Sequence, residues 1–343
     1  MPLVLVLADD LTGALDSAVA FASPGWRVLV ARSPSAVPAA LAAAPDVLAV
    51  NTGSREVAAG AASAQVKAAL AHLSPDDFQV VMKKVDSRLK GHPGAETAEL
   101  AIWMGAARCV AAPAIPDMGR VVSGGLLIGP DVPRPVDIAS CFTQPVECPD
   151  SLDQSDLDAL VAAGDGPVLW VGARGLAMAL ARRQGIGATP APGLNAPVLI
   201  ANGSRDPITQ AQIAALAGVV PVAQAPDGHV PEGVTGPVAV ISITDGGGGL
   251  DGAGAGRSFA QGTAAAALRI QPRGLLICGG ETAQAVLDQL RVDHLQVIAE
   301  FRPGLPMCII GTSWGQVRLV TKSGGFGAPS LLRDILLSSD GAS

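Results

Sequence analysis

The chain has 343 residues, 49% apolar and only 15% charged, with a net charge of −7 at pH 7. That length predicts roughly two domains with sizeable cores, and the acidic balance argues against a nucleic-acid partner, which requires a basic face. No apolar run reaches the ~18–20 residues of a membrane span, and no basic leader precedes the first strand, so a soluble cytoplasmic protein with no membrane partner is expected. Cys109, Cys141, Cys148, Cys278 and Cys308 are odd in number and form no CxxC pair. They read as apolar core residues of a reducing compartment rather than a disulfide or zinc framework.

Leu3–Leu7 is a continuous apolar run, the signature of a strand buried on both faces of a parallel sheet, and it leads into Ala8-Asp9-Asp10-Leu11-Thr12-Gly13. Leu15, Ala18, Val19 and Ala22 give the stripe of a helix stopped by Pro24-Gly25. Adjacent acids at a strand end are expected to point to opposite sides, so only one of Asp9 and Asp10 can cap this helix. The functional reading has one acid bind substrate hydroxyls or act as a base. A phosphatase of the haloacid dehalogenase type would separate two such acids by one residue, which counts against that class. Strands at Arg27–Ala31 and Val47–Val50 follow, the second running into Asn51-Thr52-Gly53-Ser54-Arg55 and a helix reaching Leu73.

Phe78–Met82 reads as the next strand and Lys83–Glu96, KKVDSRLKGHPGAE, as a cationic turn opening a helix with Leu100, Trp103, Met104 and Ala107 on one face. In a chain so sparsely charged, this turn is the prime candidate site, because open α/β sheets bind ligands at the carboxyl ends of their strands. Arg108–Ala112 is a strand before the proline-stiffened loop Pro113–Arg120, whose Arg120 would aim a fork of donors at a carboxylate or phosphate. Residues 121–150 are irregular apart from Val136–Ser140. Helices at Ser151–Ala163 and Ala173–Arg183 flank a strand at Pro167–Val171.

Thr189–Pro197 has three prolines and no periodicity, and reads as a linker (189–197) between domains at 1–188 and 198–343. After it the alternation restarts: Val198–Ala201, a helix opened by Asn202–Gln210 with Pro207 in its first turn, and Val238–Ile243. Asp245–Gly256 reads as a flexible glycine-rich connection. Gly274–Cys278 feeds Gly279-Gly280-Glu281-Thr282 and a helix at Ala283–Leu290, and Val317–Val320 feeds Thr321–Gly327 before a closing helix with Leu331, Leu332 and Ile335. Glycines let a ligand approach the backbone, and a helix start offers free N–H groups to phosphate; Lys322 stands in a second phosphate-compatible turn. The expected fold is α/β: two three-layer α/β/α domains with mainly parallel sheets and an interdomain active-site cleft.

These motifs, taken together, resemble the four-carbon acid sugar kinase family. The matching stretches are ADDLTGA at Ala8–Ala14, TGSR at Thr52–Arg55, KKVDSRLKG at Lys83–Gly91, APAIPDMGR at Ala112–Arg120, GSRDPITQAQ at Gly203–Gln212, GGETA at Gly279–Ala283, PGLP at Pro303–Pro306 and TKSGGFG at Thr321–Gly327. They occur in family order along almost the whole chain, with Arg88, Lys90 and His92 departing from the usual Thr, Arg and Asn. The resemblance implies an amino-terminal sugar-acid domain, a carboxy-terminal ATP domain, and phosphoryl transfer from ATP to the terminal hydroxyl of a threonate- or erythronate-like acid.

Such a transfer needs positioning and charge neutralisation more than covalent chemistry. Arg55, Lys83 or Lys84, Lys90 and Arg120 are expected to hold the substrate carboxylate and the transferring phosphoryl group. Asp9 or Asp10 and Ser87 are expected on substrate hydroxyls. Asp86, with Asp10 second, is expected to orient or deprotonate the attacking hydroxyl. Gly279, Gly280, Glu281, Thr282, Gly324 and Gly325 would cradle ATP phosphates, with Ser204 and Lys322 beside them. Mg²⁺ would accompany ATP, held mostly by phosphates and water, so no protein metal ligand is assigned. His92 is balanced between a substrate hydrogen bond and a helix-start role; His229 lies in a loop, and His72 and His294 are read as solvent-facing. A homodimer is left open. The competing classes are a non-catalytic sugar-acid sensor and a dinucleotide-dependent enzyme, the latter lacking GxGxxG after the first strand.

Overall fold

The computed structural model describes residues 3–187, 189–248 and 251–339. The chain divides into two compact units, residues 1–189 and 190–343. Ala188, the expected end of the first domain, lies outside the described residues.

The first unit runs β1 (Val4–Ala8), α1 (Leu11–Ala18), β2 (Val28–Ala31), α2 (Val37–Ala42), β3 (Val47–Asn51), α3 (Ala59–Leu70), β4 (Val80–Lys84), α4 (Pro93–Met104), β5 (Arg108–Ala112), β6 (Val121–Ser123), β7 (Leu126–Ile128), β8 (Val136–Asp137), α5 (Gln154–Ala162), β9 (Val168–Gly172) and α6 (Arg174–Arg183). Its main sheet has the order β2-β3-β1-β4-β9-β5, every pair parallel. Unbroken runs of Val, Leu and Ala serve because helices cover both faces; every residue of β1 is fully buried. β6, β7 and β8 form a separate small antiparallel sheet.

Two expectations are corrected here. β4 extends to Lys84, so Lys83 and Lys84 are strand residues in register with Leu7 and Ala8 rather than part of the turn. α4 ends at Met104, where Gly105 turns left-handed (φ +61°), and Ala107 falls outside the helix. α2 carries no expectation from the sequence, its Val-Pro-Ala-Ala-Leu-Ala being short and without a stripe.

The second unit runs β10 (Val198–Asn202), α7 (Pro207–Ala214), β11 (Val222–Pro226), β12 (Val238–Thr244), α8 (Gly252–Ile270), β13 (Gly274–Cys278), α9 (Gly280–Gln289), β14 (His294–Arg302), β15 (Leu305–Thr312), β16 (Gly315–Lys322) and α10 (Leu331–Ser339). The sheet order is β11-β12-β10-β13-β16-β15-β14, parallel through β16 and antiparallel from β16 to β14. Its core gathers Ile200, Leu216, Leu276, Met307, Val320 and Leu332, among others. The expected flexible run Asp245–Gly256 is corrected in its second half: Asp251 caps α8 through the Gly254 N–H at 2.6 Å, and Gly252–Gly256 are helical. Gly249 and Leu250 of that run lie outside the described residues. Buried Ala255, Phe259 and Ala260 anchor this helix, so tertiary packing overrides the glycines' low propensity. His294, expected to face solvent, is a half-buried residue of β14.

Both units share one topological feature. From β1 the chain leaves toward β2 at one edge, and from adjacent β4 toward β5 at the other; likewise β10 leads toward β11 and adjacent β13 toward β14. Connections that diverge from neighbouring strands leave an open crevice above their carboxyl ends, the usual ligand position in doubly wound sheets. Among the described residues no helix is long and apolar enough to cross a membrane.

Candidate active site

At the crevice of the first unit, Asp9 and Asp10 follow β1 directly, and Arg55 reaches both. Its Nε and Nη2 meet the two Asp9 oxygens at 3.0 and 2.8 Å, and its Nη1 and Nη2 meet the two Asp10 oxygens at 2.8 and 2.9 Å. Two forked pairs thus share one guanidinium. Asp10 also caps α1, accepting the Gly13 N–H at 2.8 Å. The expectation that the two acids diverge is therefore corrected: alternation holds inside a ladder, and this ladder ends at Ala8. Burial works to raise the Asp9 carboxyl, but Lys83, the Arg55 hydrogen bonds and charge, and Lys84 hold it below the ordinary carboxylate range. The same acids raise Arg55 further above its ordinary value against the effect of burial. Gly91 closes over this cluster with φ +84°; a Cβ there would lie 3.1 Å from Asp9 Oδ2.

The pleat splits the two lysines of β4. Lys83 Nζ pairs with Glu96 Oε2 at 2.6 Å, both side chains 1% exposed, and donates to the Lys84 carbonyl at 2.7 Å. Glu96 Oε1 in turn accepts from Ser54 Oγ at 2.6 Å, and Thr52 Oγ1 donates to the Ala8 carbonyl at 2.9 Å. Lys83, expected on substrate, is instead the anchor between β4 and the first turn of α4. Lys84, on the other face, is 4% exposed, and among the described residues its Nζ meets only the Val85 carbonyl, at 2.7 Å. Among the described residues it has no carboxylate within ion-pair reach. It points at the start of α1, where a Cβ on Gly13 would lie 3.2 Å from Nζ.

Beyond β4, Asp86 Oδ1 accepts the N–H groups of Arg88 at 2.9 Å and Lys90 at 3.5 Å, which folds the turn back on itself. Its Oδ2 accepts no hydrogen bond among the described residues and lies 3.8 Å from Arg55 Nη1 and 4.0 Å from Lys90 Nζ. Leu89 takes φ +58°, an unusual conformation for a branched residue, held by its burial. Arg120 gives its fork to Asp131 and its Nη1 to Ser87 Oγ at 2.7 Å. That fork is closed by a carboxylate of the chain itself, contrary to the expected substrate contact. His92 stands at the start of α4 with Nε2 2.5 Å from the Val57 carbonyl, tying two loops together.

In the second unit, Asn202, Cys278 and Lys322 end β10, β13 and β16 in register. Gly279 (φ +105°) accompanies the start of α9, whose first turn holds Gly280, Glu281 and Thr282. The neighbouring turn packs so closely that a Cβ on Gly203 would lie 2.1 Å from Thr282 Oγ1. Ser204 accepts the Asp206 N–H at 3.2 Å, and a Cβ on Gly324 would lie 2.6 Å from Ser204 Oγ. Ser204, Gly279, Thr282 and Gly324 therefore meet at one point, with Gly325 beside Asp206; Glu281 is exposed. Lys322 is 1% exposed, and burial lowers its pKa from the ordinary lysine range. Of the cysteines, Cys141 and Cys148 are half-buried rather than core. Burial pushes Cys278 up to about 12 and raises Cys109, Cys141, Cys148 and Cys308 as well, so none is a ready thiolate.

Sequence reasoning missed Ser54, Glu96 and Asp131 in the first unit and Asp206, Thr209 and Gln212 in the second. Glu96 lies inside the Lys83–Glu96 motif, where its position in a helix's first turn suggests only a capping role. Asp131 has no local signal.

Two doubly wound α/β units, each with polar or glycine-rich loops converging where its connections diverge, define a two-unit ligand-binding protein of the α/β class. A family model described as a sugar-binding N-terminal domain matches residues 4–147, and one described as a nucleotide-binding C-terminal domain matches residues 243–332. A D-threonate kinase of Bordetella bronchiseptica is 30% identical over 397 aligned residues, which cover 96% of each chain. A D-threonate kinase of Cupriavidus necator is 30% identical over 406, again covering 96% of each. A crystal structure of a Haemophilus influenzae protein, assigned to the domain of unknown function DUF1537, shares the fold with a TM-score of 0.71, covering 98% of this chain and all of its own at 20% identity. The chain belongs to the four-carbon acid sugar kinase family.

Proposed function

We propose that this protein is an ATP-dependent kinase that phosphorylates the terminal hydroxyl of a four-carbon sugar acid of the threonate or erythronate type. One observation carries this reading: Lys84 is a buried ammonium without a carboxylate partner among the described residues, at the crevice of the first unit beside the Asp9–Asp10–Arg55 cluster. An unpaired buried charge is costly unless a ligand completes it. A transferring phosphoryl group or a substrate carboxylate does so.

Four of the five Arg55 N–H donors are engaged by Asp9 and Asp10. In this reading Arg55 fixes the orientation of both acids. Asp10, 27% exposed against 3% for Asp9, takes the substrate diol through its remaining lone pairs. Asp86 Oδ2 orients or deprotonates the attacking hydroxyl, and Lys84 neutralises charge on the phosphoryl group. Lys90, with an exposed ammonium, takes the acid's carboxylate. Arg120 holds Ser87 in place next to Asp86. In the second unit the start of α9 and Gly324–Gly325 receive ATP phosphates through backbone N–H groups, with Ser204 beside them. Glu281, a carboxylate in the first turn of α9, suits the helix dipole rather than a phosphate. Mg²⁺ bound with ATP supplies charge neutralisation of the phosphates. Among the described residues no three His, Cys, Asp or Glu side chains gather into a cage.

The test is ADP release from Mg-ATP with D- and L-threonate and D- and L-erythronate as acceptors. Turnover on one of them supports the reading and selects the substrate. No turnover on any, with ATP binding intact, removes these four acids as substrates and favours the sensor class.

A further inference from the structure

The second unit contains a buried cation that the proposed chemistry does not use directly. Lys322 Nζ donates to Thr209 Oγ1 at 2.7 Å, to the Ser323 carbonyl at 3.0 Å and to the Gly324 carbonyl at 3.2 Å. An ammonium has three donors, so none is left for a phosphate. Thr209, fully buried, donates its own hydroxyl hydrogen bond to the Gly324 carbonyl at 2.6 Å. Gln212, one helical turn further along the same face of α7 and also fully buried, donates to the carbonyls of Phe326 at 3.0 Å and Ala328 at 2.9 Å. Four carbonyls of the loop after β16 are thus drawn inward by three side chains with almost no exposure.

A trans peptide carries its C=O and the following N–H on opposite sides. Turning the Ser323 and Gly324 carbonyls toward Lys322 therefore turns the N–H groups of Gly324 and Gly325 the other way. Among the described residues neither N–H meets a protein acceptor. Two successive outward N–H groups backed by a buried positive charge form an anion-binding concavity. The loop is braced from its far side as well, because Phe326 packs against Gly304 so closely that a Cβ there would lie 2.2 Å from the ring.

We infer that Lys322, Thr209 and Gln212 are positioning residues of the phosphate-binding loop: they touch no ligand and act by pinning its carbonyls so that the Gly324 and Gly325 N–H groups face a nucleotide phosphate. The inference rests on the nucleotide reading of the second unit. It differs from that reading in assigning Lys322 to the loop's own oxygens and in adding Thr209 and Gln212.

The experiment measures ADP affinity by calorimetric titration of the full chain, together with melting temperature and KM for the sugar acid. Thr209→Val keeps the shape of the side chain and removes the hydroxyl, while Thr209→Ser keeps the hydroxyl. With two hydrogen bonds of the clamp lost, ADP binding by Thr209→Val should weaken about tenfold or more. Thr209→Ser should restore most of it, and the KM for the sugar acid should hold in both. Lys322→Met should weaken ADP at least as much as Thr209→Val. Wild-type affinity in Thr209→Val overturns the inference while leaving the nucleotide reading intact, and so does a loss that Thr209→Ser shares. A wild-type chain that does not bind ADP overturns the nucleotide reading itself, and the inference with it.

Discussion

Replacing Glu96 by Gln isolates one charge at the centre of the first unit. The side chains of Lys83 and Glu96 are each 1% exposed and meet at 2.6 Å, while the other Glu96 oxygen takes the Ser54 hydroxyl at 2.6 Å. Glutamine has nearly the same shape and can turn its amide oxygen to Lys83 and its NH₂ to Ser54, so the hydrogen bonds survive and only the negative charge goes. Removing one partner of a buried pair costs about 3–5 kcal/mol, because the remaining ion is left in low dielectric without compensation. For a unit of this size each kcal/mol shifts the melting temperature by about 2–4 °C, which gives a fall of about 6–20 °C. Differential scanning calorimetry at neutral pH reads this directly. The double variant Lys83→Met/Glu96→Leu removes both ions and should recover most of the loss, since an apolar replacement of a buried pair is often neutral. A Glu96→Gln chain melting within about 2 °C of wild type, or a double variant melting no higher than Glu96→Gln, would refute the reasoning.

The other predictions concern the crevice. Lys84→Met should melt close to the wild-type temperature, because relief of a buried charge offsets the lost attraction to Asp9, yet lower turnover by about 10²-fold or more; loss of stability with turnover retained would reverse its assignment. Asp86→Asn should reduce kcat by about 10²–10⁴-fold with KM for the acid little changed, and wild-type turnover would remove Asp86 from its role. The Asp9 carboxyl is held below its ordinary value of 3.8, so it contributes stability that is full above that value and lost as pH falls through the lower folded value. Melting curves from about pH 6 down to about pH 2 should therefore contain an acid-dependent fall that is smaller in Asp9→Asn; parallel curves would show that Asp9 is not linked to folding.

Much of the fold could be read from continuous apolar runs at the strand positions, since both faces of each parallel sheet are covered. The antiparallel extension was not read: β14 and β15 carried no expectation, although in β14 the buried Leu295, Val297, Ala299 and Phe301 alternate with less buried residues, the mark of a strand with one solvated face. The small sheet β6–β8 was not legible, because its strands are only two or three residues long and set by pairing rather than pattern. That is also why Asp131 stayed hidden: its partner Arg120 is eleven residues away, and only the folded hairpin brings them together. The glycines at the start of α8 misled in the opposite sense, since composition records propensity and not the buried face that anchors the helix.

Three lysines at strand ends show where residue type stops being informative. In sequence Lys83, Lys84 and Lys322 look alike, each opening a polar turn after an apolar run. Placing β4 two residues further along would have separated the first two, because adjacent residues of a strand face opposite sides: one meets α4 and Glu96, the other the start of α1. Lys84 and Lys322 cannot be separated in that way. Both are buried, both end a strand at a crevice, and neither has a carboxylate partner among the described residues. Their donors distinguish them. Lys322 places all three on oxygens of its own unit, which makes it part of the scaffold of the loop. Lys84 places one, on Val85, and its other two N–H groups meet no acceptor among the described residues. A ligand anion can be held only by donors the fold has left open, so of the two buried cations Lys84 is the one that we propose meets the substrate.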